Sequence, residues 1–516
     1  HRVVGLSRFL IRPGVRCENL ASRVLGMCLK QIPRDFDERY GFRPWLVETF
    51  VDRRLFRGTC FRATNWERVG HTQGRGRQDR TKARAESVKE IYVYTLEPSF
   101  RTMMGLPVGS GRPALKPEAS LDSDGWAEVE FGGARLGDKR LAQRLVDSAT
   151  ALAEQPGRAF SEVEQGNWAA VKGYYRFIDT PDESAVTMEN ILRPHRERTV
   201  QRMKDHPIVL CIQDGTDLNY SGLTECEGLG VIGTNQTGAS SRGLHLHTTL
   251  VTTTEGLPLG VLHAQCVAPE PPPKKEERTR PGGPIEEKKT FRWIEGLRDC
   301  VDLVGEMPRT RMVGVMDRES DFFELFDEHR RDPRVDLLVR ANHNRNTTSG
   351  TKLFESVRES PILGHVRIQV PRQSARPKKS KQKARAKRAE RTAEVSLRYR
   401  KVELQPPPYL SECEPISLWA IEVIEETPPA EVEPLHWVLL TTMEISTLKQ
   451  AVECLRWYCR RWRIEDWHRV LKTGCRVESL AHKTAERLRR AISINLVIAW
   501  RIMLMTLLGR EQPNLP

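Results

Sequence analysis

The sequence predicts an α/β protein built on a mixed sheet with helices on its faces, and three observations support this fold class. From Pro207 onward, short apolar runs of strand length alternate with stretches in which apolar residues recur at helical spacing. Two of the runs, PIVLCIQDGT and MVGVMDRES, end on an acid. Two others, LHLHTTLVTTT and LPLGVLHAQC, are separated by Glu-Gly, which indicates a β-hairpin.

Residues 206–345 are predicted to form the first part of an RNase H-like catalytic core with a mixed five-stranded sheet flanked by helices. Three strands in a meander are followed by a helix (FRWIEGLRDCVDLV), a strand, a helix (DFFELFDEHR) and a strand (VDLLVRANH), which is the order of that fold. Acids that follow apolar strands lie at the carboxyl edge of the sheet, where open α/β sheets build their sites. Residues 436–516 are predicted to complete the core.

Two further segments flank or interrupt this core. Residues 119–205 contain amphipathic helices such as LGDKRLAQRLVDSATALAEQ and predict a helical, basic domain. Residues 346–435 predict a β-rich insertion around a basic loop that carries nine Lys or Arg and one Glu between Arg376 and Arg391. This loop is either a hairpin tip that meets phosphates or a solvated loop without a dedicated partner.

The two ends of the chain carry less information. Residues 1–118 are Arg-rich with little sustained periodicity, so they are expected to be an unassigned extension, either real or translated from DNA upstream of a start at Met103 or Met104. The chain stops at Pro516, soon after the last predicted core helix.

The bulk composition restricts the class of protein. A net charge of +14 and a pI of about 9.3 favour a polyanionic partner, most often nucleic acid, although a solvated basic surface gives the same charge. Eleven Cys without a C-x-x-C pair argue against a zinc ribbon and fit a reducing cytosol. The apolar segment AISINLVIAWRIMLMTLLG is interrupted by Arg501, so it predicts a core helix and no membrane association.

The stretch YCRRWRIEDWHRVLKTG predicts a helix with one chemically unusual face. On a regular helix Tyr458, Arg461, Glu465 and Lys472 fall within a stripe about 60° wide. Glu can ligate a divalent metal, Arg and Lys can hold phosphate oxygens, and Tyr adds a hydroxyl donor. An ordinary ladder of salt bridges would produce the same stripe.

Two acids at strand ends are expected to meet this helix. Asp214 and Asp317 each follow an apolar run directly, whereas other acids lie close by in sequence: Asp217, Glu319 and Asp321. A helix packed on the sheet would bring Glu465 to both Asp residues. Three carboxylates suit Mg²⁺, with Mn²⁺ as a substitute, and two such ions support in-line phosphoryl transfer on a nucleic acid.

These residues also resemble a known family. The spacing Tyr-x₂-Arg-x₃-Glu-x₆-Lys matches the signature of DDE transposases of the IS-four group, and the chain resembles the transposase of transposon Tn-five over about residues 120–510. IQDGTDLNY, VMDRESD and LVRANH are similar to the family's strands that carry the two Asp residues and a following Arg, and LGDKRL and YYRFI to its DNA-binding domain.

The resemblance implies residue roles. Asp214, Asp317 and Glu465 would be the catalytic, metal-binding triad. Trp437 would stack on a flipped base, although a buried strand aromatic is the alternative. The other residues expected to contact DNA are Tyr458, Arg461, Lys472, Arg340 and Arg469, and, for reading the transposon end, the basic side of the N-terminal helices with Arg140, Arg144, Lys139, Lys172 and Arg176.

The resemblance also implies an activity and partners. A cut-and-paste transposase of this group cleaves transposon ends through a hairpin intermediate and joins them to target DNA, so double-stranded DNA and a homodimeric full-length form are expected, in the bacterial cytoplasm at the nucleoid. The sequence leaves little room after the last predicted core helix, so the family's C-terminal dimerisation domain is expected to be absent. Alternatives are therefore a truncated DNA-end-binding protein that inhibits transposition and a nuclease without strand transfer. His245 and His247 alternate on one strand and are expected to be ordinary strand residues.

Overall fold

A computed structural model describes most of the chain and divides it into two compact units. The described residues are 2–11, 17, 19–52, 54–56, 58–72, 87–97, 100–103, 125–234, 240–270, 283–370, 391–429 and 432–511. The first unit comprises residues 1–116 with 138–140, and the second comprises residues 117–137 and 141–516.

The first unit is a small α/β fold with its own core, where the sequence indicated little regularity. Its elements are β1 (Val3–Gly5), α1 (Leu20–Tyr40), β2 (Leu46–Asp52), α2 (Thr59–Ala63), β3 (Glu67–His71), β4 (Lys89–Thr95) and α3 (Phe100–Met103). The sheet order is β1-β2-β4-β3, with β1 parallel to β2 and the other pairs antiparallel. The periodicity is weak because the strands are short and α1 contains Pro33 and many charged residues.

The second unit begins with helices that the sequence predicted. They are α4 (Trp126–Phe131), α5 (Lys139–Glu154), α6 (Phe160–Val163), α7 (Trp168–Ile178) and α8 (Met188–Met203). Side-chain caps fix two of their starts, because Asn167 accepts from Ala170 N–H and Thr187 accepts from Asn190 N–H. Buried residues of these helices belong to the same apolar cluster as the sheet, so they pack as part of one core.

The predicted meander, helix, strand, helix and strand follow in that order. The strands are β5 (Ile208–Asn219), β6 (Gly230–Thr234), β7 (Ser240–Thr253), β8 (Pro258–Val267), β9 (Arg311–Met316) and β10 (Asp336–Arg340), with α9 (Phe291–Leu303) and α10 (Phe323–Arg331) between them. Within the sheet β8, β7, β5, β9 and β10 are successive neighbours. Strands β5, β9 and β10 are parallel, and β7 is antiparallel to β5.

The predicted sheet of five strands is wrong in size, because the insertion extends the core sheet. After α11 (Leu353–Arg358) come β11 (Gly364–Val370), β12 (Arg391–Leu404), β13 (Ile416–Ile424) and β14 (His436–Thr441). Strand β14 pairs with β10 on one edge and with β13 on the other, which gives a sheet of ten strands in all. The edge of β14 that faces away from β10 pairs with β13, and β12 and β11 of the insertion continue the sheet from there. Most of the basic loop, residues 371–390, lies outside the described residues.

Alternate residues of the central strands face two apolar layers. Leu210 and Ile212 of β5 face the layer that holds α12 (Leu448–Arg460), α13 (Trp462–Arg469) and α14 (Ala485–Glu511). Val209 and Cys211 face α9 and α10 on the other side. The central sheet is therefore covered by helices on both faces, as expected for parallel strands.

Helix α14 is the core helix that the sequence predicted. Its segment Ala485–Leu508 is long and apolar enough to cross a bilayer, but 72% of its most apolar stretch is buried inside the protein. It packs on α8 and β8 and joins the N-terminal helices to the sheet.

Candidate active site

The strand register places the first two predicted acids side by side. Parallel pairing of β5 with β9 runs from Ile208 opposite Arg311 to Ile212 opposite Val315. Continuing that register by two residues brings Asp214 opposite Asp317. Because side chains alternate along a strand, both acids lie on the same face as Ile212 and Val315, which is the face covered by α13.

The third predicted acid is joined to the first through an arginine. The Arg461 guanidinium lies 3.3 Å from Asp214 Oδ2 and 2.5 Å from Glu465 Oε1. Arg461 is itself buried, whereas the Glu465 side chain is about half exposed. One cation therefore spans the carboxylate of Glu465 and that of Asp214, which lies within β5 and not at its end as predicted, because β5 continues its pairing with β7 to Asn219.

The charges of Asp317 and Glu465 both act on Asp214. The pKa of Asp214 is raised to about 7, mainly by burial; Arg461 lowers it, and the negative charges of Asp317 and Glu465 contribute to the rise. Such a raised pKa is typical of acids grouped for a function and unusual for an acid that only stabilises a fold.

The site offers the ligand chemistry of a divalent cation, although its carboxylates are not arranged around one. Among the described residues, no group of three or more His, Cys, Asp or Glu side chains is placed to hold a metal ion. Instead Arg461 occupies the position of a shared cation between Asp214 and Glu465, and its Nε is buried without a hydrogen-bond partner. Carboxylate oxygens whose mutual repulsion is only partly offset fit Mg²⁺ or Mn²⁺.

The neighbouring acids have other partners. Asp321 is buried and accepts hydrogen bonds from the backbone N–H groups of Asn342 and His343 and from Arg345, so it holds a loop in place. Asp217 pairs with His245 at 2.8 Å. Burial and the nearby charge of Asp317 raise the pKa of Glu319, which lies at the margin of the site.

The histidines of β7 make ordinary protein contacts. His245 pairs with Asp217, and the Nε2 atom of buried His247 lies 3.2 Å from the Gln213 side-chain oxygen. The His247 ring also packs edge-on against Trp293.

The predicted single helix from Tyr458 to Gly474 is wrong, because it is interrupted twice. Helix α12 ends at Arg460, α13 follows from Trp462 to Arg469, and one π-helical turn spans Val470–Gly474. The regular stripe therefore breaks before Lys472, whose ammonium donates to the carbonyl of Asp217 at 2.6 Å, near the end of β5. π-helical turns occur frequently at functional sites.

Tyr458 closes an aromatic and basic cluster beside the acids. Its ring meets Trp437 edge-on at 5.6 Å, and the Arg340 guanidinium lies 5.5 Å from the centre of the Trp437 ring. The positive charges of Arg461 and Arg340 lie close to the Tyr458 hydroxyl, but burial outweighs them and raises its pKa, which keeps the hydroxyl protonated.

Trp437 is covered in this structure. Only 7% of it is exposed, so its side chain is the buried strand aromatic that was the alternative to base stacking. Stacking on a flipped base stays a prediction and requires Tyr458 or Arg340 to move away from the ring.

The remaining predicted DNA contacts lie on the surface. Arg469 is exposed and paired with Asp466 at 2.7 Å, and Arg140 is paired with Asp138 at 2.7 Å. Arg144 is half-buried and lies over Gly173 of α7. Lys172 and Arg176 are exposed on α7. Their roles stay predictions, because a solvated face has the same appearance.

The sequence analysis missed a basic groove on the other face of α12 and α13. Arg456, Arg460 and Arg463 line a cavity of about 430 Å³ together with Arg367 of β11. These three Arg residues fall within about 60° of one another on a regular helix, opposite the stripe of Tyr458 and Arg461. The same helical projection applied to every basic residue of the segment predicts this second face.

Asp214 lies within β5, Asp317 directly follows the adjacent parallel strand β9, and Glu465 lies on the helix above them. A set of two Asp and one Glu is the pattern expected of the DDE class of DNA-processing proteins. Family comparison agrees with this class. Residues 294–501 match the model of the transposase DDE domain, and residues 123–182 match that of the transposase DNA-binding domain.

The chain thus contains a transposase DNA-binding domain followed by a transposase DDE domain, and together they support a DDE transposase. The DDE match includes Asp317, Glu465 and the whole Tyr-Arg-Glu-Lys signature, whereas Asp214 lies between the two matched segments. Residues 1–104 match the model of the Druantia protein DruA.

Proposed function

We propose that this protein is a cut-and-paste transposase of the IS-four group, which binds the ends of its element, cleaves them through a hairpin intermediate and joins them to target DNA in the bacterial cytoplasm. The observation that carries the proposal is the β5–β9 register, which sets Asp214 beside Asp317 while Arg461 links Asp214 to Glu465. A homodimer on paired DNA ends belongs to the same proposal.

Asp214, Asp317 and Glu465 would hold the divalent cations, two Mg²⁺ with Mn²⁺ as a substitute. When bound, these ions supply activation of the attacking hydroxyl and charge stabilisation of the leaving oxygen. The raised pKa of Asp214 supports this role, because a positive ion would remove the repulsion that Asp317 and Glu465 impose on it.

The chain's own cations and hydroxyls position the DNA. Arg461 has a buried Nε donor without a partner and lies between the acids, where a phosphate oxygen of the substrate can accept from it. The protonated Tyr458 hydroxyl is a second donor at the same place. Lys472 adds a positive charge at the end of β5.

The flipped base has a partner in Trp437. Its ring contacts both Tyr458 and Arg340, so a displaced base that takes the place of Tyr458 would replace one aromatic contact with another. The basic groove of Arg456, Arg460 and Arg463 continues the positive surface on the opposite face of the same helices.

The experiment is metal-dependent nicking of a duplex that carries the element's own ends. With Mg²⁺, the wild-type chain is expected to nick this duplex, and Glu465→Gln is expected to slow nicking by about 10³-fold, because several kcal/mol of transition-state stabilisation are lost. Binding of the duplex should change less than threefold. Glu444→Gln, which removes an exposed Glu outside the site, is the matched control and should nick like the wild type.

Each other outcome decides against part of the proposal. Equal nicking by wild type and Glu465→Gln rejects the site. Tight binding without nicking in every variant identifies a DNA-end-binding protein that inhibits transposition. Nicking without joining of the freed 3′ end to a second duplex identifies a nuclease.

A further inference from the structure

Most of the net positive charge of this protein lies in residues 1–116, which belong to the first unit. Residues 1–116 carry 23 Lys or Arg and 11 Asp or Glu, an excess of 12. The remaining 400 residues, which hold the proposed catalytic site, carry 59 Lys or Arg and 57 Asp or Glu, an excess of only two. A polyanionic partner is therefore attracted mainly by residues that neither the transposase DNA-binding match nor the DDE match includes.

The fold of the first unit leaves this charge on its surface. The core is built from apolar side chains of α1, α2 and the inner sheet face, including Val47, Phe61, Trp66 and Tyr92. The described Arg side chains of this unit whose burial is defined are all exposed: Arg2, Arg8, Arg23, Arg34, Arg39, Arg43, Arg54 and Arg68. Several pair with acids. The two pairs in which both side chains are exposed, Arg34–Glu38 and Arg43–Asp37, contribute little and can exchange for a phosphate.

At the C-terminal end of α1, arginines and aromatic rings are packed together. Gly41 adopts a left-handed conformation with φ 68°, which ends the helix and turns the chain back toward β2. The rings of Phe36, Tyr40 and Phe42 then lie 5.2–6.3 Å apart. This turn makes an aromatic surface from residues that are close in sequence.

Guanidinium groups lie on these rings. The guanidinium of Arg2, the residue before β1, lies 5.5 Å from the centre of the Phe42 ring and 5.4 Å from that of the Trp45 ring. It also donates a hydrogen bond to the backbone carbonyl of Arg43. Arg39 lies 5.6 Å from the centre of the Tyr40 ring. A guanidinium stacked on a ring keeps most of its five N–H donors for another acceptor.

Internal stabilisation alone explains only part of this arrangement. An Arg near a helix C-terminus and cation–π contacts both stabilise a small fold. However, Tyr40 keeps 58% of its surface exposed, and Arg2, Arg39 and Arg43 are all on the surface. Exposed aromatic faces interleaved with arginines are the combination that holds unpaired bases and the backbone between them.

We propose that the Arg–aromatic end of the first unit, formed by Arg2, Arg39, Arg43, Tyr40, Phe42 and Trp45, is a second DNA-binding site. The arginines take backbone phosphates, and the Tyr40 ring takes an unpaired base. This site shares no residue with the proposed catalytic site, and single-stranded DNA binds it without any sequence from the element's ends.

The test uses the full chain in EDTA, so that no cleavage occurs. The probes are a fluorescent 20-nucleotide oligo(dT) and a 20-base-pair duplex without the element's ends. The variant Arg2→Gln/Arg39→Gln/Arg43→Gln is compared with Arg34→Gln/Arg54→Gln/Arg68→Gln, which removes the same charge from exposed arginines elsewhere on the same unit.

The first variant is expected to bind oligo(dT) at least tenfold more weakly and to reduce the slope of log Kd against log salt by about two, since each lost phosphate contact removes roughly 0.7. The control should change binding less than threefold. Tyr40→Ala, a change at an exposed side chain, should weaken oligo(dT) binding by about five- to 100-fold and duplex binding little.

Equal losses in both triple variants, or no loss in either, would overturn the proposal, because they indicate diffuse charge without a site. The role of the Tyr40 ring is overturned if the wild type binds the duplex more strongly than oligo(dT) and Tyr40→Ala leaves the affinity for oligo(dT) unchanged. Thermal unfolding of each variant establishes that the fold is intact. The outcome of the nicking experiment with Glu465→Gln does not affect these binding measurements, because they are made without a metal ion. The second DNA-binding site and the catalytic site are therefore tested separately.

Discussion

At the scale of single residues, two buried carboxyl groups show how a structural acid differs from a functional one. Burial would raise the pKa of Glu130, but Arg202 and His195 outweigh it and hold the pKa at about 2. The pKa of Asp214 is instead raised to about 7, because burial outweighs the one cation beside it, Arg461, and two other acids are near. The protein neutralises the charge of Glu130, whereas it compensates the charge of Asp214 only in part.

The partners of Glu130 fix its charge. Arg202 lies 2.7 Å from one carboxylate oxygen, and His195 Nδ1 lies 2.5 Å from the other. His195 Nε2 accepts from Val261 N–H, so Nδ1 carries the proton and the imidazole is neutral, in agreement with burial lowering its pKa. Arg202 is therefore the cation that lowers the pKa of Glu130.

Glu130→Gln is expected to destabilise the protein by about 3–5 kcal/mol at pH 7, since it leaves Arg202 buried without its counter-charge. The folded-state pKa of about 2 lies below the ordinary value of 4.5, so this stabilisation is complete above pH 4.5 and is lost as the pH falls toward 2. Urea unfolding at pH 7, 5 and 3 measures it. A gap between wild type and variant that stays constant down to pH 3 would contradict the ion pair.

At the scale of elements, the interrupted helix α12–α13 presents two different faces. Arg461 and Glu465 face the sheet and Asp214, whereas Arg456, Arg460 and Arg463 line the open groove beside β11. The dense charge of this segment is explained by these two uses. One face arranges acids and donors at the candidate site, and the other presents positive charge, where we expect a DNA backbone to bind.

Arg456→Gln/Arg460→Gln is expected to weaken binding of a duplex carrying the element's ends by about three- to tenfold at 150 mM salt. The slope of log Kd against log salt should fall by about two, because each phosphate contact contributes roughly 0.9. Nicking of the bound duplex should be unchanged, since neither residue contacts the acids.

Arg331→Gln/Arg334→Gln removes the same charge from exposed ion pairs near the end of α10 and serves as the control. If both double variants lose the same affinity, the groove has no special role and only net charge matters.

At the scale of the whole second unit, α14 connects the N-terminal helices to the central sheet. Arg490 has no exposed surface, and its guanidinium donates to the carbonyls of Ile178, Thr180, Pro181 and Val186. A single side chain of the core helix therefore satisfies the backbone that links α7 to α8.

Arg490→Leu is expected to destabilise the second unit by at least about 3 kcal/mol, because several buried carbonyls lose their donor. Arg487→Leu, which breaks only a partly exposed pair with Asp179, should cost less than about 1 kcal/mol. Chemical denaturation followed by circular dichroism measures both. A small effect at Arg490 would mean that the DNA-binding helices are held to the core by apolar packing alone.

The sequence by itself determined the elements and most of the candidate site. Apolar runs predicted the strands β5 and β7–β10, and apolar residues at helical spacing predicted the helices between them. These patterns are informative because they depend on which side of each element is buried. Two acids after apolar runs and the Tyr-Arg-Glu-Lys spacing singled out Asp214, Asp317 and Glu465 before any coordinates. The family comparison supports the class of protein that those residues predicted.

Only the tertiary structure decided how these parts meet. Local patterns do not state which strand edges pair, so the extension of the sheet through β13 and β14 was not foreseen. The break at Arg461 and the π turn Val470–Gly474 depart from the regular helix that a uniform helical projection assumes. Whether a ring such as Trp437 is covered, and which acid an arginine such as Arg461 reaches, depends on residues distant in sequence, because burial and charge act through space.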